Sequence, residues 1–254
     1  MIDWNKVLIR CSSLGMLMTE PKEKAAKEAG ELSATAKSHL KNVYIQLKYG
    51  REKDVVTKQM QKGVEVEEES ITLLSRVQKK MLYKNTERLN NDYITGLPDI
   101  YEGESIRNAT SITDIKSSYD LFTFIANIGS PLDSTYYYQL QGYMALSGAQ
   151  QAWIAYCLVD TPESIIQGEK YRLLRSLDVV SEDSPEFIQE ALKIELNMTF
   201  GDIPKEERVL IFPVQRDDEV VEKIYSKVRK ARAWLSEFEQ IHLNFNSVLN
   251  IPQK

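Results

Sequence analysis

The chain has 254 residues, 43% of them hydrophobic, and a formal net charge of −5, enough apolar material for one well-cored domain with helical additions. Its two cysteines and two histidines lie far apart without Cys-x-x-Cys spacing, which argues for a reducing compartment and against zinc, iron–sulfur or histidine-triad chemistry. No apolar run is long enough to span a bilayer, and "MIDWNKVLIRCSS" lacks the basic-then-apolar order of a secretory signal, so the expected setting is cytoplasmic, with no membrane partner.

In chain order, "IRCSSLG" sets Arg10 beside Ser12 and Ser13. A forked guanidinium next to hydroxyls suits a terminal phosphate, and equally a capped helix start. Residues 19–32 read as loop or loose helix. Ser33 or Thr35 caps a helix to Tyr49 that Gly50 stops, with Leu40, Val43, Tyr44 and Leu47 as its apolar stripe. A second helix is predicted over 54–61 and, after Gly63, a long one from about Val64 to Tyr83. Residues 92–116 read as a strand pair around the polar turn "EGESIRN". A helix over 134–147 starts at the cap Ser134 and stops at Gly148; "AWIAYCLV" is a buried strand. A helix over 184–198, the strand "ERVLIFPVQ" and a long amphipathic helix over 217–243 complete a mixed α/β chain with peripheral helices.

Basic residues cluster at Lys37, Lys41, Lys48, Arg51, Lys53, Lys58 and Lys62, again at Arg76, Lys79, Lys80, Lys84 and Arg88, and again at Lys223, Lys227, Arg229, Lys230 and Arg232. Solvated helix faces account for such runs; the sharper reading is a phosphate track with Tyr44 and Tyr49 as stacking groups.

The chemistry-bearing residues converge on the strand pair. Period two puts Ile112, Asp114 and Lys116 of "SITDIK" on one strand face, and Asp99 of "GLPDI" reaches the same patch if it ends or bends the strand before. Two carboxylates and an ammonium in one place suit a divalent cation held by oxygen; a surface salt bridge is the competing account. On the long helix, Glu65, Glu68 and Glu69 face outward, whereas Glu67 aligns with Ile71, Leu74, Val77 and Met81. An acid turned inward costs several kcal/mol unless it is paired. Gln139 and Tyr143 share a helix face with Tyr136, and a buried glutamine needs polar partners.

The order Glu, Gly-x-Pro-Asp, Asp-x-Lys, Gln-x-x-x-Tyr resembles the PD-(D/E)XK nuclease superfamily, and within it the lambda-exonuclease-like (YqaJ-type) viral recombination nucleases. "KGVEVEEES" is similar to that group's first motif and lands on Glu67. "GLPD" carries Asp99, and "DIK" carries Asp114 and Lys116. "YYYQLQGYM" resembles the Gln-x-Gln motif, and "RCSSLG" the Arg/Ser segment that meets a 5′-phosphate in relatives. Asp114 stands where this branch often has glutamate.

The resemblance implies a restriction-endonuclease-like core, a central mixed sheet flanked by helices, in one domain over 1–254 with a helical N-terminal part and a long C-terminal helix. It implies one or two Mg²⁺ or Mn²⁺ ions on Glu67, Asp99, Asp114 and the Ile115 carbonyl. Lys116 and Gln139 would position the attacking water, and Arg10, Ser12, Ser13, Gln141 and Tyr143 would meet or support the DNA. The implied activity is 5′-to-3′ digestion of linear duplex DNA in phage-type recombination, handing a 3′ overhang to a single-strand annealing protein; some relatives are trimeric rings. The competing readings are an endonuclease on the same fold, a RecB-type or CRISPR-adaptation nuclease, and a non-catalytic DNA-binding accessory protein.

Overall fold

The computed structural model describes residues 2–53, 57–178 and 181–248. Among these described residues, seven strands fall in two sheets: β1 (Ile9–Arg10), β2 (Leu89–Asn90) and β3 (Ile94–Gly96) form the smaller, in the order β1-β3-β2, and β4 (Ile100–Gly103), β5 (Ala109–Ser117), β6 (Gln151–Cys157) and β7 (Val209–Gln215) form the larger, in chain order. β5 and β6 run parallel, with Asp114 opposite Ile154 and Lys116 opposite Tyr156, and antiparallel β4 and β7 flank them. This is the mixed sheet flanked by helices that the family resemblance implies. The β4–β5 turn closes on Gly103, whose positive φ of 133° and close approach to the Asn108 carbonyl, 2.7 Å from where a Cβ would stand, require glycine.

The helices are α1 (Leu14–Leu17), α2 (Lys24–Glu28), α3 (Ala34–Tyr49), α4 (Lys58–Glu65), α5 (Glu67–Gln78), α6 (Leu121–Ile125), α7 (Ser134–Ser147), α8 (Glu163–Ser176), α9 (Pro185–Met198) and α10 (Asp218–Val248). α3 is bounded as read: Ser33 caps it by accepting from the Ala36 N–H, and Gly50 ends it in the left-handed region. The cap of α7 is Asp133, not Ser134; its carboxylate accepts from the Thr135 N–H.

The two sheet faces are buried against different helices. Ile112, Ile154 and Val214 share a cluster with Leu140 and Met144 of α7 and with Ile224, Val228 and Leu235 of α10. Ile115, Ala155 and Cys157 pack on Ile71, Leu73 and Leu74 of α5. The strand alternation assigned to "SITDIK" is thus the alternation between these two layers.

Three expected boundaries differ. Gly63 does not start a helix but lies inside α4; the break comes at Val66 (φ −109°, ψ 17°), and α5 stops at left-handed Lys79, leaving Met81 exposed beyond it. Residues 54–56 of the predicted helix over 54–61 lie outside the described residues. The first strand of the predicted pair is interrupted at Leu97–Asp99, so that its halves, β3 and β4, join different sheets. The sequence offered no helix over α8, which packs against α9 in an excursion between β6 and β7.

Tyr44 is not a surface stacking group. It is buried, stacks on Trp4 at 5.3 Å and meets Phe238 edge-on at 5.1 Å. Leu47 of the same predicted stripe is exposed. Much of the basic clustering is spent internally: Lys48 pairs with Glu239, Lys58 with Glu169, Lys227 with Glu20, while Lys230 donates to the Gly30 carbonyl and Arg232 to that of Val7.

Candidate active site

The break between β3 and β4 delivers the first carboxylate. Gly96 cannot take a side chain, since its Cβ would stand 2.6 Å from the Tyr143 ring, and Leu97-Pro98-Asp99 then crosses between the sheets. Asn85 clamps this crossing. Its backbone N–H donates to the Asp99 carbonyl at 2.7 Å and its amide to the carbonyls of Pro98 and Glu87 at 2.9 and 3.0 Å. Asp99 turns onto β5, where Oδ2 accepts from the Ile115 N–H at 2.7 Å.

Asp114 and Lys116 follow one pleat apart. Asp114 is 2% exposed; Oδ1 accepts from Gln139 Nε2 at 2.9 Å, and Oδ2 meets the Lys116 Nζ at 2.7 Å and is otherwise unpartnered. The second amide proton of Gln139 reaches the Tyr143 hydroxyl at 2.9 Å. The glutamine on α7 therefore spends both donors, one on the carboxylate and one on the tyrosine below it. Tyr136, one turn earlier, lays its ring 4.6 Å from the Lys116 Nζ.

Glu67 opens α5 at a position where free helix N–H groups and the helix dipole favour an acid. Among the acids of that turn it alone is drawn inward; Glu68 and Glu69 are exposed. Its Oε1 stands 3.1 Å from Lys84 Nζ. In the sequence Asn85 carries no signal and Lys84 is only one of a basic run, because their partners are set by the path of the irregular segment after α5.

Glu67, Asp99, Asp114, Lys116, Gln139 and Tyr136 line one cavity of about 740 Å³, with Ser12 and the α4 residues Gln59, Met60 and Val64 at its wall. The electrostatics follow from burial. Burial first, and then the charge of Asp114, push Asp99 up to about 8, against the Ile115 hydrogen bond and Lys116. Burial also raises Asp114, opposed by Lys116. The Lys116 ammonium, which burial would depress, is held up by Asp114, Tyr136 and Asp99. Two carboxylates thus share a low-dielectric site with one ammonium, and each added negative charge is resisted.

Of the predicted site residues, Glu67, Asp99, Asp114, Ile115, Lys116, Gln139, Tyr143 and Ser12 line this cavity. Arg10 and Ser13 do not. They line a second cavity of about 200 Å³ with His39 and Gln46, and Arg10 also borders one of about 460 Å³ with Arg51 and Lys53. Gln141 is a correction: it is fully buried, donating to the Gln215 carbonyl at 2.8 Å and accepting from the Asp217 N–H at 2.9 Å. Successive residues of a helix point about 100° apart, so Gln141 faces away from Gln139 and ties α7 to the start of α10.

Among the described residues no three His, Cys, Asp or Glu side chains stand together as a ready-made metal cage; Lys84 and Lys116 hold two of the acids instead. The donor set nonetheless fits a hard cation. It is all oxygen, Asp114 Oδ2 lacks any partner but an ammonium, and a positive charge between Asp99 and Asp114 would relieve the destabilised ionised forms.

No protein-family model matches the chain, and no curated protein is similar enough to match it. Among solved structures, a phage-related exonuclease from Haemophilus somnus 129PT is 30% identical with a TM-score of 0.71, the alignment covering 93% of this chain and 97% of that one. An alkaline exonuclease from Laribacter hongkongensis has a TM-score of 0.62 at 16% identity, covering 96% of this chain and 98% of its own, a likeness of fold.

Proposed function

The chain belongs to the lambda-exonuclease-like branch of the PD-(D/E)XK nucleases, and from that membership we propose that it hydrolyses DNA phosphodiesters with a divalent cation, removing nucleotides from the 5′ end of linear duplexes. The observation that carries this reading is the buried Asp99–Asp114 pair, with Lys116 and Gln139 on it, opening into a cavity. The related Laribacter enzyme has been solved in complex with dAMP, which supports a nucleotide-sized ligand for this fold.

Glu67, Asp99, Asp114 and the Ile115 carbonyl would hold the cation, Mg²⁺ or Mn²⁺. When bound it supplies charge against the developing negative phosphoryl oxygens and lowers the pKa of water. The chain's own residues do the rest. Asp99 is fixed by the Ile115 N–H, so its free oxygen is presented to the cavity without rotamer search. Gln139 holds Asp114 from the side of α7, leaving Oδ2 to the site. Lys116 is a protonated ammonium at the cavity wall, placed to orient a water and to stabilise charge on a pentacovalent phosphorus. Arg10 and Ser13, in the second cavity, are candidates for the 5′-phosphate. The product's 3′ overhang suits a single-strand annealing partner, and a homo-oligomer is part of the same proposal.

The test is cleavage of duplex DNA labelled at its 5′ or 3′ end, beside a closed circle, with Mg²⁺, Mn²⁺ or EDTA. Loss of 5′ label from linear DNA alone, abolished by EDTA and reduced at least about a hundredfold by Lys116→Ala, is the expected outcome. Cutting of the circle would replace it with an endonuclease on the same site. DNA binding without cleavage would leave a non-catalytic accessory protein.

A further inference from the structure

Beside its ion pair with Asp114, Lys116 meets the ring of Tyr136. We infer that Tyr136 is a positioning residue for Lys116, acting through the face of its ring rather than through its hydroxyl. This rests on the nuclease reading above for its effect on rate, though not for the placement itself.

A lysine side chain has four rotatable bonds and a strongly hydrated head, so a single ion pair leaves its ammonium free to swing about the carboxylate. Lys116 is not left so. Its Nζ meets Asp114 Oδ2 at 2.7 Å and stands 4.6 Å from the Tyr136 ring centroid, within the range of a cation–π contact. The carboxylate and the ring come from different elements, β5 and α7, so together they define a position and not merely a distance.

The ring is itself braced. Tyr136 meets Tyr156 at 6.2 Å and 69°, and Tyr156 meets Phe212 at 5.6 Å and 85°, both edge-to-face. Tyr156 is the residue opposite Lys116 in the parallel β5–β6 register. The lysine stem therefore leaves the sheet beside one aromatic and ends under another, and the ladder continues onto β7 through Phe212. Among the described residues no hydrogen bond of the Tyr136 hydroxyl is part of this arrangement.

The α7 spacing explains why both supports arrive together. Tyr136, Gln139 and Tyr143 lie on one helix face, so the helix that sets Asp114 through Gln139 also sets Lys116 through Tyr136.

Five proteins decide the inference: wild type, Tyr136→Phe, Tyr136→Leu, Lys116→Ala and the Tyr136→Leu/Lys116→Ala double variant. Tyr136→Met serves as a second non-aromatic form should Tyr136→Leu fail to fold. Loss of the ring is expected to lower kcat about tenfold with KM unchanged, and phenylalanine is expected to rescue most of it. On a Lys116→Ala background Tyr136→Leu is expected to cost nothing further, because the group it positions is gone.

An independent readout is the ¹³Cε resonance of Lys116 in lysine-labelled protein, assigned by its absence in Lys116→Ala. The aromatic ring should shift it upfield in wild type and Tyr136→Phe, and the shift should vanish in Tyr136→Leu. An unshifted wild-type signal, a Tyr136→Leu loss that persists without Lys116, or a Tyr136→Phe protein as impaired as Tyr136→Leu would each overturn the inference. A wild type that cleaves no DNA would defeat the nuclease reading, while the resonance would still decide the placement.

Discussion

Asp99 shows most directly what the site demands of single residues. It is a carboxylate whose neighbours oppose ionisation: burial and Asp114 lift it to about 8, whereas an unfolded aspartate titrates near about 4. Between those values the folded protein binds the extra proton. Without a cation, the contribution of this group to stability is therefore fully present below that window and is lost as pH rises through it. Thermal melts in EDTA at pH 5 and pH 8 should show this fall in wild type and a smaller one in Asp99→Asn. Mn²⁺ or Ca²⁺ should raise the melting temperature at pH 8 in wild type only, by mass action on the folded state. A wild-type protein that gains stability over this range in EDTA, or ignores both cations, would refute the charge account of the site. Residue chemistry of this kind is legible in the sequence: the helix face of Glu67 predicts that it turns inward, and it is the one acid of its turn that does so.

At the scale of elements, the α4–α5 junction places that glutamate. A continuous helix from Val64 would have carried the inner stripe on to Met81; instead the turn at Val66 restarts the chain, so Glu67 stands at a new helix N-terminus. α4 is anchored by Lys62, which is wholly buried, donates to the Tyr119 carbonyl at 2.9 Å and lies 5.1 Å over the Phe200 ring. Burial depresses it to about 8, with Asp160 and Asp120 opposing. Its ordinary value is 10.5, so between the two the folded state has fewer protons and the contribution of this group to stability rises with pH across that interval. Lys62→Met should remove this rise and stabilise the protein at pH 7 by at most about 3 kcal/mol, the equivalent of the shift. Denaturant melts at pH 7 and pH 10 measure both. Unchanged pH dependence would show that the ammonium is not the titrating group. Nothing in "KQMQKGVE" marks this lysine as internal, because Tyr119 and Phe200 reach it from distant parts of the chain.

For the whole molecule, the ends of the described chain close on each other. Glu239 of α10 accepts from Trp4 Nε1 and pairs with Lys48 of α3, and Tyr44 reaches His242 Nδ1 at 2.8 Å. The hydrogen bond from Lys48, and then that from Trp4, hold the Glu239 carboxyl below its ordinary range. Glu239→Ala strips a partner from a buried indole and a half-buried ammonium, and should cost about 2–3 kcal/mol by urea denaturation. A loss under about 0.5 kcal/mol, the usual surface value, would mean that this closure contributes little. The sequence by itself determined the elements whose signal is local. Ser33 and Gly50 bound α3, alternation faces Asp114 and Lys116 together, and helical spacing joins Gln139 to Tyr143 and Tyr136, because caps, pleat and pitch act over a few residues. Only the tertiary structure decided that "DYITGLPDIY" divides between two sheets, that Gln141 turns inward to Gln215 and Asp217, that Lys84 meets Glu67, and that Lys116 ends under an aromatic ring. Each of these depends on partners far along the chain, and such pairings are selected by how much surface the assembled whole buries, which no short window of sequence contains.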